Sequence, residues 1–215
     1  MPTGEYVLQP ESHTGGPVLV ERFSCAPGPA GWRYAATVHE EAGGTARSKV
    51  DVTVDARWRQ ARVELRTGAW LLRGGVAGRE LLWVRGGVDG TGATEYAEPA
   101  VAFTGTSPAF LVTTARMLGL APGESASVAL VAIAGDALAA RTVRQRWTCV
   151  DVTEHDADLG SLRVERFDVA DLDTGVVAEV HVAGDVVLAA PGVELRSLEG
   201  PPNVPRPAGP APASE

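Results

Sequence analysis

The residues of this sequence that come nearest to acyl-transfer chemistry are Gly105–Thr106–Ser107–Pro108–Ala109. They approximate a Gly-x-Ser-x-Gly nucleophile elbow and stand just before a helical pattern. Pro108 removes the backbone N–H that would complete an oxyanion hole, and the alternating strands and helices of a hydrolase fold are absent. Ser107 also has a sufficient task as a helix cap. The reading is therefore non-enzymatic. Metal chemistry has no better footing. His13, His39, His155 and His181 form no His-x-His or His-x₃-His spacing, and Cys25 and Cys149 form no Cys-x₂-Cys pair. A calcium loop needs a glutamate eleven residues after its first aspartate; counting from Asp156 in one acidic group gives Phe167, and from Asp171 in the other gives Val182, so both groups read as solvated hairpin loops. Neither a phosphate-binding loop nor a dinucleotide fingerprint is present, and no cofactor is expected.

What remains is the placement of aromatic and arginine side chains. Trp58, Arg59 and Arg62 surround a break between two alternating runs. Trp70 and Trp83 sit in apolar runs, and Arg144, Arg146 and Trp147 lie in another. An apolar cavity rimmed by a few arginines suits an amphiphile with a polar head. Core filling by tryptophan and solvent exposure of strand arginines explain the same residues equally well.

The elements that position these residues read as strands. Val50, Val52 and Val54 alternate with polar neighbours. After a break at Asp55–Gln60 the period resumes with Ala61, Val63 and Leu65. About ten strands are expected between residues 18 and 199, punctuated by glycine pairs at 15–16, 43–44, 74–75 and 86–87, where tight turns are expected. Ser107–Leu118 is the exception. It reads as a helix capped by Ser107, started by Pro108 and ended by Gly119. Val20–Glu21–Arg22–Phe23 recurs as Val164–Glu165–Arg166–Phe167, and Ala36–His39 resembles Ala178–His181. Duplication and chance similarity both fit this echo.

Composition sets the outer limits. The chain has 215 residues and a net charge of −8, which repels nucleic acid. The N-terminus has no signal-peptide pattern and no apolar run reaches membrane-span length, so a cytoplasmic protein with two reduced core thiols is expected. Residues 1–17 read as a loose lead-in, 18–199 as one domain and 200–215 as a disordered, Pro-rich tail.

Several segments resemble the bacterial putative glycolipid-binding proteins. Asp55–Ala56–Arg57–Trp58–Arg59–Gln60–Ala61–Arg62–Val63 is similar to their D-x-x-W-x-x-R-x-V segment. Phe103–Pro108 is similar to F-T-N-T-x-P, and Arg116–Gly123 to R-R-L-x-L-x-x-G. Arg141–Trp147 and Val186–Val193 are similar to two later strands of that family. Gly105 replaces the family's asparagine, Ala109–Thr114 is additional, and Ala190 stands where the family has tyrosine. The resemblance implies an all-β, mainly antiparallel roll or partly closed barrel with one short helix around 107–118. It also implies non-catalytic binding of a lipid or glycolipid. On that reading Trp58, Phe103, Phe110 and Trp147 line the apolar wall or mouth, and Arg62, Arg116 and Arg144 contact the head group. A protein-interaction module using a sheet edge or the tail, and a small-molecule hydrolase or isomerase of the barrel interior, are the alternatives.

Overall fold

A computed structural model of the protein describes residues 1–9, 16–29, 31–157 and 160–203. Alternating runs form the strands β1 (Thr3–Leu8), β2 (Leu19–Gly28), β3 (Gly31–Glu40), β4 (Ser48–Asp55) and β5 (Gln60–Thr67). They continue as β6 (Trp70–Ala77), β7 (Glu80–Gly87), β8 (Thr94–Glu98) and β9 (Ala102–Thr104). Helix α1 (Pro108–Leu118) follows, then β10 (Ser125–Ala134), β11 (Ala139–Ala157) and β12 (Gly160–Asp171). The last strands among the described residues are β13 (Val177–Ala183), β14 (Val186–Ala190) and β15 (Val193–Glu199).

All fifteen strands join one sheet, in the order β8 through β1, then β15 down to β9. Every pairing is antiparallel except β9 with β10. Two antiparallel meanders, β1–β8 and β10–β15, meet in mid-sheet where β1 pairs with β15, and β9 adds in parallel to β10 at the far edge. This corrects the expected loose lead-in, because Tyr6, Val7 and Leu8 are buried. The expected tail is corrected in part: Asn203 N and Nδ2 each donate to Asp185 at 2.7 Å. Its remainder, from residue 204, lies outside the described residues.

The sheet is an open roll, with β8 and β9 as its edges. Its two ends nevertheless approach one another. Arg47 bonds Asp136 at the tip of the β10–β11 hairpin, and Thr67 Oγ1 donates to the Asp136 carbonyl at 2.8 Å. Arg85 Nε donates to the Ala137 carbonyl at 2.7 Å. The most telling contact is made by Gln60, which is fully buried. Its Oε1 accepts from Phe103 N at 2.7 Å, and its Nε2 donates to Phe103 O at 3.1 Å. One side-chain amide thus serves the outward N–H and C=O of β9, as a strand partner would.

Gly74 and Gly75 lie inside β6 and not in a turn, contrary to expectation. A Cβ on Gly74 would stand 2.4 Å from the Leu82 carbonyl and 3.0 Å from the Phe103 ring. Glycine here lets Phe103 lie edge-on against Trp83, with centroids 5.7 Å apart.

Helix α1 forms as its sequence predicts. Ser107 Oγ accepts from Ala109 N, and Gly119 adopts the left-handed conformation with φ 55°. The helix is buried on nearly all sides and packs on β14 and β9. Phe110 enters the main core, while Ala115 enters a second cluster with Trp147, Cys149 and Phe167. The roll's interior is therefore occupied by its own helix.

Candidate ligand-binding site at the seam

The helix is tethered at both ends by glutamates from the echoed segments. Glu21, on β2, accepts from Tyr34 Oη at 2.5 Å and from the capping Ser107 Oγ at 2.7 Å. Burial pushes the Glu21 carboxyl up to about 7, against partial relief from these two hydrogen bonds. Glu165, on β12, pairs with Arg116 in the last turn of α1, and Arg116 Nε donates to the Gly184 carbonyl at 2.8 Å. Both side chains of that pair are nearly buried, at 11% and 12% exposed. The echo is thus matched in role: Glu and Phe face inward in each copy, and the two glutamates hold Ser107 and Arg116, nine residues and so about 14 Å apart along the helix. The hairpin registers differ by two residues, since Phe23 opposes Ala36 whereas Phe167 opposes Val180. A shift of two keeps every side chain on its face.

With the interior filled, a recess at the seam becomes the candidate site. It has a volume of about 390 Å³ and opens between β7–β8 on one side and β10–β11 on the other. Trp83 and Tyr96 form its aromatic shelf, stacked at 5.2 Å with an interplanar angle of 11°. The Trp83 indole N–H is buried and has no partner among the described residues. Arg85, Glu98, Arg141 and Thr142 supply the polar lining, and Val131 the apolar wall. Arg85 is held over Trp70, 3.9 Å from the ring centroid. Such a site can stack a flat apolar face on its shelf while the rim binds hydroxyl or anionic groups.

The side chains predicted for a site are dispersed. Trp58 is half-buried on Trp32, centroids 5.3 Å apart, and holds a positive φ of 61°. The Asp55 carboxylate fixes this turn, accepting from Arg57 N at 2.9 Å and Arg59 N at 3.0 Å, so Asp55 and Trp58 build a turn. Phe103 and Phe110 are buried in the main core and Trp147 in the second. Arg62 is exposed and paired with Glu64, and Arg144 is exposed and paired with Asp173. Arg116 anchors the helix. None of the seven lines the recess, although Phe103 packs against Trp83, which does. Sequence reading missed Tyr96, Glu98 and Arg141 as partners of Trp83. The five mostly polar residues of β8 give little strand signal, and the seam joins segments about 45 residues apart in sequence.

Other candidate chemistry resolves into structure. Ser107 is committed to Glu21 and to the helix cap. Cys25 and Cys149 are free and buried. His39 and His181 lie on the outer face of β3 and β13, with four strands between them in the sheet. Among the described residues no helix is long and apolar enough to cross a membrane.

This arrangement is an open all-β roll plugged by a single helix, with a ligand-sized recess at its seam. Comparison with family models gave no match, and neither did comparison with the curated proteins. Among solved structures, the chain is similar in fold to a DUF1089 family protein from Pseudomonas aeruginosa. The likeness has a TM-score of 0.52 and 20% identity, and covers 92% of this chain and 94% of that one.

Proposed function

We propose that this protein binds an amphiphilic small molecule of the lipid or glycolipid class without catalysis, with the ligand's head in the seam recess. The observation that carries this reading is the Trp83–Tyr96 shelf, its indole N–H without a partner among the described residues, beside the Arg85, Arg141 and Glu98 rim. A sugar ring presents an apolar C–H face and a girdle of hydroxyls, which is the chemistry such a lining complements. The recess is at the small end of the roughly 300–1,000 Å³ typical of ligand sites, which suits a head group better than acyl chains. Two buried free thiols suit a reducing compartment, and we place the protein in the cytoplasm. The test is titration of a glycolipid and lipid panel, followed by tryptophan fluorescence. Saturable binding that falls about tenfold in Tyr96→Ala supports the proposal. Binding unaffected by that change contradicts it.

A second reading, a protein-interaction module, rests on a separate observation. The edge of β8 has no strand partner among the described residues, and nearby Leu82, Val84, Tyr96 and Val101 are each about 40% exposed. A concentration-dependent mass that Val84→Lys restores to that of a monomer would favour it.

A further inference from the structure

Strand register sorts the outer face of β2–β6 into charged rows. One row runs Arg22–Thr37–Lys49–Arg66. The next runs Ser24–Ala35–Asp51–Glu64–Arg73, and the third Ala26–Arg33–Thr53–Arg62. Six basic side chains here face two acidic ones, in a chain whose net charge is −8. Both carboxylates are already engaged. Arg33 holds Asp51 through contacts of 2.5 and 3.2 Å, and Glu64 Oε2 accepts from Arg62 at 3.0 Å and Arg73 at 2.9 Å. Arg22 is held by Glu5 on β1 at 2.7 Å. Lys49 and Arg66 have no ion-pair partner among the described residues, yet they stand directly opposite each other. Like charges so placed, with Cβ atoms about 5 Å apart, destabilise an antiparallel pair. A recess of about 570 Å³ lies over them, lined also by Arg22, Thr37, Asp51 and Glu64.

We propose that this recess is a site for a phosphate- or sulfate-type oxyanion, held between Lys49 and Arg66. An oxyanion removes the repulsion between the two cations. It accepts the guanidinium fork of Arg66 and the point charge of Lys49, with the Thr37 hydroxyl next to Lys49 in the same row. A neutral sugar would leave both charges uncompensated. The site lies on the opposite face of the sheet from the Trp83–Tyr96 shelf, so it stands independently of the seam proposal. The oxyanion can be free or carried on a lipid head group, and the experiment separates the two.

The test uses the full chain in low-salt, anion-poor buffer. Inorganic phosphate is titrated by calorimetry, and vesicles of phosphatidylcholine with or without phosphatidylglycerol are tested by flotation. Phosphate binding identifies a free anion. Binding only to the phosphatidylglycerol vesicles identifies a head group. In either case Lys49→Gln and Arg66→Gln each weaken binding about five- to tenfold, and the double variant abolishes it. Without anion, Lys49→Gln melts at or above the wild-type temperature, because one opposed charge is gone. Three results overturn the proposal: neither phosphate nor anionic vesicles bind, the double variant still binds, or Lys49→Gln melts well below wild type without anion.

Discussion

Replacing Gln60 with leucine tests how the open sheet is held together. Gln60 makes three hydrogen bonds, two to the backbone of Phe103 and one to Thr113 Oγ1 at 2.9 Å. Leucine is similar in volume, so the cavity contribution is small. The change leaves the Phe103 N–H and C=O without partners, in a residue that is fully buried. Each such group costs about 1–3 kcal/mol, so the loss should be about 2–6 kcal/mol. For a chain of this size, about 1 kcal/mol moves the melting temperature by roughly 2–4 °C, so a fall of about 5–20 °C is expected. Urea denaturation measures the free energy, and an unchanged m-value shows that the two end states are the same. A loss below about 1 kcal/mol would refute the argument that this amide stands in for a strand.

Three further outcomes follow from the buried carboxylates and the turn. Because Glu21 is raised from about 4.5 to about 7, the folded state holds a proton that the unfolded chain releases, so stability falls by about 3 kcal/mol as pH rises across that window. Glu21→Gln keeps an acceptor for Tyr34 and Ser107, and denaturation at pH 5 and pH 8 should show that this part of the pH dependence is gone. Arg116→Ala leaves Glu165 buried without its principal cation and should cost about 3–5 kcal/mol by chemical denaturation. Asp55→Ala removes the carboxylate that holds the Trp58 turn and should cost about 1–2 kcal/mol, read by thermal melting.

The helix was legible because Ser107, Pro108 and Gly119 are strong local signals that act within one turn. The alternating valines of β4 and the alternation of β5 were legible for the same local reason. β1 was not, because Thr3–Leu8 is polar at its start and gains its burial from β15, nearly 200 residues away. The Val-Glu-Arg-Phe echo was visible in the sequence but its orientation was not. Alternation would bury valine and phenylalanine, which stand on opposite faces, so it cannot say that both glutamates point inward. Only the helix ends, Ser107 and Arg116, explain them. The predicted site residues scattered because Trp58, Phe103 and Trp147 serve turns and cores, while the seam is defined by contacts distant in sequence.

Native mass spectrometry of the purified protein, before and after organic extraction, tests the central proposal most directly. Seam binding predicts a stoichiometric amphiphile on the wild-type chain that is reduced in Tyr96→Ala, with both proteins equally folded. An apo mass, with no adduct from the lipid panel, would contradict it. So would an adduct that Tyr96→Ala retains in full.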